Sequence, residues 1–194
     1  MRIIAGQAGG IRLEVPPAEV RPTMDRVKAA IFSSLGERVL DARVLDLFAG
    51  TGALGLEALS RGAASAVFVE DNLPALQAIE QNFLRTKLRG RVRRQEVFAF
   101  LESAGTKERY DLIFADPPYE KTKSGGEFTR LLLANEQLAE LLEPSGILVL
   151  EKRPGEELHP AGLWETIRAK RYGATEVLFL VRSEARPEPL AQAE

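Results

Sequence analysis

The chain has 194 residues, 45% of them apolar and 28% charged, with a formal net charge of −2. That length fits one domain able to bury its own core, and the near-neutral balance argues against a general polyanion binder. Cysteine is absent and His159 is the single histidine, which excludes disulfides, thiol nucleophiles and histidine- or cysteine-rich metal sites. Chemistry is left to carboxylates, backbone groups, aromatics and a borrowed cofactor.

The first residues hold no long apolar segment and no run is long enough to span a bilayer, so the expectation is a cytoplasmic protein without a membrane partner. Residues 1–22 predict a small β-hairpin arm: Arg2-Ile3-Ile4-Ala5, a glycine turn at Gly9-Gly10, then Ile11 to Val15 in alternation, ended by Pro16-Pro17. Such an arm is too small to fold alone. Thr23 is placed to cap a helix with Val27, Ala30, Ile31 and Leu35 as its buried stripe and Gly36 at its end. Val44 to Ala49 reads as a strand that stops at Gly50-Thr51-Gly52, after which helical spacing resumes at Leu54, Leu56, Ala58 and Leu59.

Ala66 to Val69 is a second strand ending in Glu70, followed by a helix traced by Leu73, Leu76, Ile79, Phe83 and Leu84. A weak third strand around Val92 and a short helix from Val97 to Leu101 precede a clear strand, Tyr110 to Ala115, that runs into Asp116-Pro117-Pro118-Tyr119. A polar loop, Glu120 to Gly126, leads to one helix carrying Leu131, Leu132, Leu138, Leu141 and Leu142. A strand at Gly146 to Leu150 and a closing pair, Trp164 to Lys170 and Glu176 to Val181, complete a domain over residues 23–183, with 184–194 as a flexible tail. Strands alternating with helices imply an α/β fold with a mainly parallel sheet covered on both faces.

In such a sheet, ligands bind beyond the carboxyl ends of the strands. Asp46, Glu70 and Asp116 all fall at such ends. Glu70 lies 20 positions after Gly50 (70 − 50), the offset at which an acid meets a ribose hydroxyl pair. Gly50-Thr51-Gly52-Ala53-Leu54-Gly55 also fits the dinucleotide fingerprint, but Asp46 before the glycines would repel a pyrophosphate. An acid there suits a cationic ligand group, such as the ammonium and sulfonium centres of S-adenosylmethionine. A glycine turn used only for close strand–helix packing is the plainer alternative.

Asp116-Pro117-Pro118-Tyr119 offers almost only acceptors, because proline has no N–H. Asp116 and the carbonyl of Pro117 can each accept from a planar amine while Tyr119 stacks on the ring bearing it. Holding both N–H bonds aims the nitrogen lone pair at an incoming methyl, and positioning of that kind lowers the barrier when the electrophile is already activated. Taken alone, the tetrapeptide is equally an ordinary turn.

Asp46 to Gly52 together with Asp116 to Tyr119 resembles the class I S-adenosylmethionine-dependent amino-methyltransferases. More narrowly, Arg2-Ile3-Ile4-Ala5-Gly6, Arg21-Pro22-Thr23, Asp25-Arg26-Val27, Leu56 through Ala63 and Tyr172-Gly173 resemble the RsmD-type 16S rRNA guanine-N2 methyltransferases. The resemblance implies a Rossmann-like, seven-stranded sheet with an antiparallel last strand and a reaction on one guanine N2. It also implies 16S rRNA within an assembled or partly assembled small ribosomal subunit as partner, with no metal and no required oligomer. It makes Asp116, Pro117 and Tyr119 the catalytic set. The cofactor set is Asp46, Phe48, Gly50, Thr51, Gly52, Glu70, Asp71 and Asn72, with Asp116 shared and Glu96 and Val97 on the adenine edge.

For RNA, Arg2, Arg12, Arg21, Thr23, Arg26 and Lys28 offer contacts beside the crevice. A second basic run (Arg85, Lys87, Arg89, Arg91, Arg93 and Arg94) reads equally as solvated surface or nucleic-acid contact. The competing functions are the same transfer to adenine N6 in DNA or to a protein glutamine, an NAD(P) oxidoreductase, and a non-catalytic RNA-binding module.

Overall fold

The structure, a computed structural model, describes residues 1–16, 24–105, 108–118, 127–156 and 162–183. Seven strands form one sheet: β1 (Arg43–Leu47), β2 (Ser65–Glu70), β3 (Arg91–Arg94), β4 (Tyr110–Ala115), β5 (Leu142–Lys152), β6 (Trp164–Tyr172) and β7 (Thr175–Arg182). Their spatial order is β3-β2-β1-β4-β5-β7-β6, parallel except for β7, which runs antiparallel to both of its neighbours. The chain steps from β1 outward to β2 and β3, then returns to start again at β4 on the other flank of β1. The topological switch therefore lies between β1 and β4, where a crevice opens beyond the strand ends.

Among the described residues, six helices cover the faces: α1 (Met24–Leu35), α2 (Ala53–Ser60), α3 (Leu73–Thr86), α4 (Val97–Ser103), α5 (Glu127–Leu133) and α6 (Glu136–Leu141), with a 3-10 turn at Gly36–Val39. Alternation along the strands divides the apolar residues into two cores. Val44, Phe68, Phe114, Val149 and Phe179 pack against α1, α2 and α3, while Leu45, Val69, Ile113, Leu148 and Leu178 pack against α4, α5 and α6. Phe32, Phe68, Phe114 and Phe179 are fully buried, each contributing about 1.5–3 kcal/mol relative to exposure.

Two elements differ from the sequence reading. The helix expected through Leu131 to Leu142 is two, because Asn135 leaves the helical conformation and its Oδ1 accepts from Leu138 N at 2.9 Å, starting α6 afresh. Leu142 already belongs to β5, which is longer than expected. The amino-terminal arm pairs antiparallel about an Arg2–Arg12 bridge, with Ile3 N donating to Ile11 O at 2.9 Å and Leu13 N to Met1 O at 3.1 Å, too short a pairing to count as strands. It is built into the main core: Ile3 and Leu13 are buried there, and Gly6 passes so close to α2 that a Cβ on it would lie 1.8 Å from the Ser60 carbonyl oxygen.

Candidate active site

Register fixes what meets at the switch point. Leu47 at the end of β1 lies opposite Val69 on one side and Ala115 on the other, so Phe48, Glu70 and Asp116 leave the sheet side by side. Phe48 stands at φ +55°, followed by Gly50 at +53° and Gly52 at +75°. A bulky residue in that region is strained, by roughly 1–3 kcal/mol, and such strain gathers at functional sites. Gly52 begins α2 with no side chain of its own to cap it, so the helix turns its positive dipole end toward the turn, where Asp46 takes the Gly55 amide.

Behind the turn lies Asp46, fully buried, its Oδ2 accepting from Gly55 N at 2.8 Å. Burial pushes its carboxyl up to about 8, the Gly55 hydrogen bond opposes this, and the nearby charges of Asp116 and Glu70 add to the rise. The three acids thus share one electrostatic neighbourhood. Glu70 is fixed by backbone amides: Oε2 accepts from Gly50 N at 2.7 Å, and Oε1 from Asp71 N at 3.0 Å and Asn72 N at 2.8 Å. A carboxylate has about four acceptor positions, which leaves Glu70 capacity for a ligand hydroxyl. Asn72 also caps α3 through Ala75 N, and Glu96 caps α4 through Ala99 N at 2.9 Å, with Val97 buried beside it.

Glycine at 52 and 55 also answers to packing. A Cβ on Gly55 would lie 2.3 Å from the Phe68 ring, and one on Gly52 would lie 3.2 Å from it. Close strand–helix packing is therefore by itself a demand for glycine in this turn. Thr51 is buried, and its carbonyl accepts from Asn82 Nδ2 at 3.0 Å. Asn82 in turn exchanges hydrogen bonds with the Glu14 backbone, coupling the arm to the turn.

At the end of β4, Asp116 is half-buried, Pro117 buried and Pro118 exposed. Tyr119, Arg21 and Thr23, together with the loop 120–126, His159 and residues 184–194, lie outside the described residues. Arg2, Arg12 and Arg26 are exposed. Lys28 requires a correction: expected as an RNA contact, it is buried at 3% exposure, its Nζ donating to the Arg2 carbonyl at 2.6 Å and lying 3.3 Å from Glu57 Oε2. It faces inward because α1 packs that side on the arm and α2.

Sequence reasoning missed an aromatic wall in this region. The rings of Phe48 and Phe98 both lie 6.0 Å from that of Phe128, one edge-on and the other stacked. Phe98 directly follows Val97 at the start of α4, so half-exposed aromatic faces flank the residues assigned to the adenine edge. The glycine-led helix end, the left-handed turn, the acid trio and this wall fit a cationic, nucleoside-bearing cofactor.

Fold and site together define a Rossmann-like methyltransferase of the S-adenosylmethionine-dependent class. The model of the family described as "Conserved hypothetical protein 95" matches residues 1–181. The chain belongs to that family, the RsmD type. The Ribosomal RNA small subunit methyltransferase D of Escherichia coli is 42% identical over 123 residues, 62% of this chain and 61% of that protein. The Haemophilus influenzae protein of the same name is 30% identical over 177 residues, 89% of each chain. Among solved structures, the T. thermophilus 16S rRNA N2 G1207 methyltransferase (RsmC), in complex with AdoMet and guanosine, superposes with a TM-score of 0.69 at 25% identity. That match covers 86% of this chain and 44% of the other.

Proposed function

We propose that the chain transfers the methyl group of S-adenosylmethionine to the exocyclic N2 amine of a guanine in 16S rRNA, within an assembled or partly assembled small ribosomal subunit. The observation that carries this reading is the register at the switch point, which sets Asp116-Pro117 beside the strained glycine turn and Glu70. The turn at Gly50 and Gly52 lets backbone approach the methionine end, Asp46 supports its ammonium by way of the turn, and Glu70 takes a ribose hydroxyl. Glu96 and Val97 face the adenine edge, walled by Phe48 and Phe98. When bound, the cofactor supplies an already activated methyl on a sulfonium centre.

Asp116 and the Pro117 carbonyl accept the two N–H bonds of the guanine amine, turning its lone pair toward that methyl. Tyr119 stacks on the base, which enters unpaired or flipped from its neighbours. The proton lost from the methylated nitrogen passes to Asp116 or water. Arg2, Arg12 and Arg26, with Arg21 and Thr23, steer the RNA backbone from the arm side. The homologous proteins named for small-subunit rRNA methylation and the guanosine complex of the T. thermophilus enzyme support this choice of substrate.

The test is labelled methyl incorporation into small subunits, naked 16S rRNA, DNA and a glutamine-bearing protein, with mass spectrometry locating the modified nucleotide. Small subunits should be labelled at a guanine N2, and Asp116→Ala should abolish labelling while cofactor binding is largely retained through the other contacts. Methylation of adenine or glutamine instead, or persistence of activity in Asp116→Ala, overturns the reading.

A further inference from the structure

At the opposite end of the sheet, where β1 to β4 begin, the surface opens into a trough of about 550 Å³. Its walls carry Arg43, Arg89, Arg91 and Arg109 against a single acid, Glu108. Two of these arginines are engaged. Arg43 bonds Asp111 at 3.0 Å and Glu143 at 2.7 Å, and Arg91 reaches Glu108 at 3.4 Å. Arg89 and Arg109 have no ion-pair or hydrogen-bond partner among the described residues, and Arg109 is half-buried. A guanidinium holds five donors and no acceptor, so partial burial without a partner is costly until an anion meets it. Phosphate oxygens answer that need in a forked geometry.

The trough continues into a basic strip. β3 forms the sheet edge and runs parallel to β2, from Arg91 opposite Val67 to Arg94 opposite Glu70, with Arg93 between them exposed. Arg91 and Arg93 stand on the same face, two residues and so about 7 Å apart, a separation on the scale of successive phosphates in an extended single strand. Arginines on an edge strand also deter edge-to-edge pairing. That role does not account for Arg109, which belongs to the approach to β4 and is not on the edge. A free nucleotide would need the trough but not the strip that leads from it to the crevice.

We propose that the trough and the β3 edge form a second RNA-backbone site, which grips phosphates several nucleotides from the target base. The strands between trough and crevice are five to six residues long, or about 17–20 Å, so one RNA segment can span both ends. The proposal rests on RNA being the substrate, and it adds a contact surface at the end of the sheet opposite the catalytic crevice.

The experiment compares the parent chain with the double variant Arg89→Ala/Arg109→Ala, whose side chains make no hydrogen bond or ion pair among the described residues. Binding to purified small subunits and to 16S rRNA is measured across a salt series, alongside kcat, KM and cofactor affinity. Two lost phosphate contacts should lower the slope of log K against log salt by about 1.4 and raise KM for RNA, with kcat and cofactor affinity unchanged. Parental affinity and slope in the variant overturn the proposal, as does binding of a nucleoside monophosphate in the trough with no effect on RNA affinity. Because binding is read without turnover, the outcomes separate. A changed slope in a protein that methylates something other than rRNA sinks the catalytic assignment alone, and an unchanged slope in an active rRNA methyltransferase sinks this surface alone.

Discussion

Replacing Glu57 with glutamine should dislodge the amino-terminal arm from the domain. Four donors converge on this fully buried carboxylate: Ile4 N at 2.7 Å and Lys28 Nζ at 3.3 Å on Oε2, with Ala5 N at 3.1 Å and Arg61 Nε at 2.7 Å on Oε1. A glutamine accepts at one atom and donates at the other, so either orientation turns an amino group toward two donors. Lys28 also loses its counter-ion at a site where burial already lowers its pKa and Glu57 opposes that fall. Breaking a buried pair from one side costs about 3–5 kcal/mol. For a chain of this size that corresponds to a fall in Tm of roughly 6–20 °C.

The sole tryptophan, Trp164, is buried with its Nε1 donating to Leu133 O at 3.0 Å, so its fluorescence reports the transition in urea. The penalty should shrink as pH rises. A lysine held below its free pKa binds protons more readily when unfolded, and stability then climbs with pH. Adding Lys28→Met to Glu57→Gln removes the stranded cation and should recover most of the loss. A loss below about 1 kcal/mol, or a double variant no better than the single one, would refute the reasoning.

Gly6→Ala should act on the same junction, because it demands a left-handed alanine at φ +84° and a Cβ on top of the Ser60 carbonyl; faster proteolysis within residues 1–16 would register the released arm. Asp46→Asn should flatten the pH dependence of stability. The folded carboxyl titrates at about 8 against about 3.9 when unfolded, so native stability falls as pH rises from roughly 4 to 8 and levels beyond. Urea midpoints measured from pH 4 to 9 check this, and a variant retaining the parental slope would show that Asp46 is not its source. Gly55→Ala should cost more than the usual helix gain from alanine, because its methyl meets the Phe68 ring; a Tm equal to or above the parent's would contradict the tight packing.

Much of the crevice was legible because its parts are local in sequence. Strand runs ending in Asp46, Glu70 and Asp116 place those acids at one sheet end as soon as the strands are parallel. What escaped was non-local. Nothing in the periodicity of α1 distinguishes Lys28 from a surface lysine, since its partner Glu57 comes from another helix and its second acceptor from the Arg2 backbone. The aromatic wall joins residues from β1's end, α4 and α5, and the basic trough joins Arg89 to Arg109 only through the pairing of β1 to β4. The break before α6 was readable, as Asn135 is a good cap, but the leucine spacing across it overrode that signal.

Helix α2 has a fixed length imposed from both ends. Its first residue leaves the glycine turn, and Glu57 and the Ser60 carbonyl receive the arm only at one rotation about the axis. One inserted residue between Gly52 and Glu57 would swing the carboxylate by about 100° and leave the arm facing empty helix surface. Variation in loop lengths elsewhere can be absorbed locally, whereas this eight-residue segment acts as a gauge block: any change in its count is felt at once by the glycine turn and by the first residues of the chain.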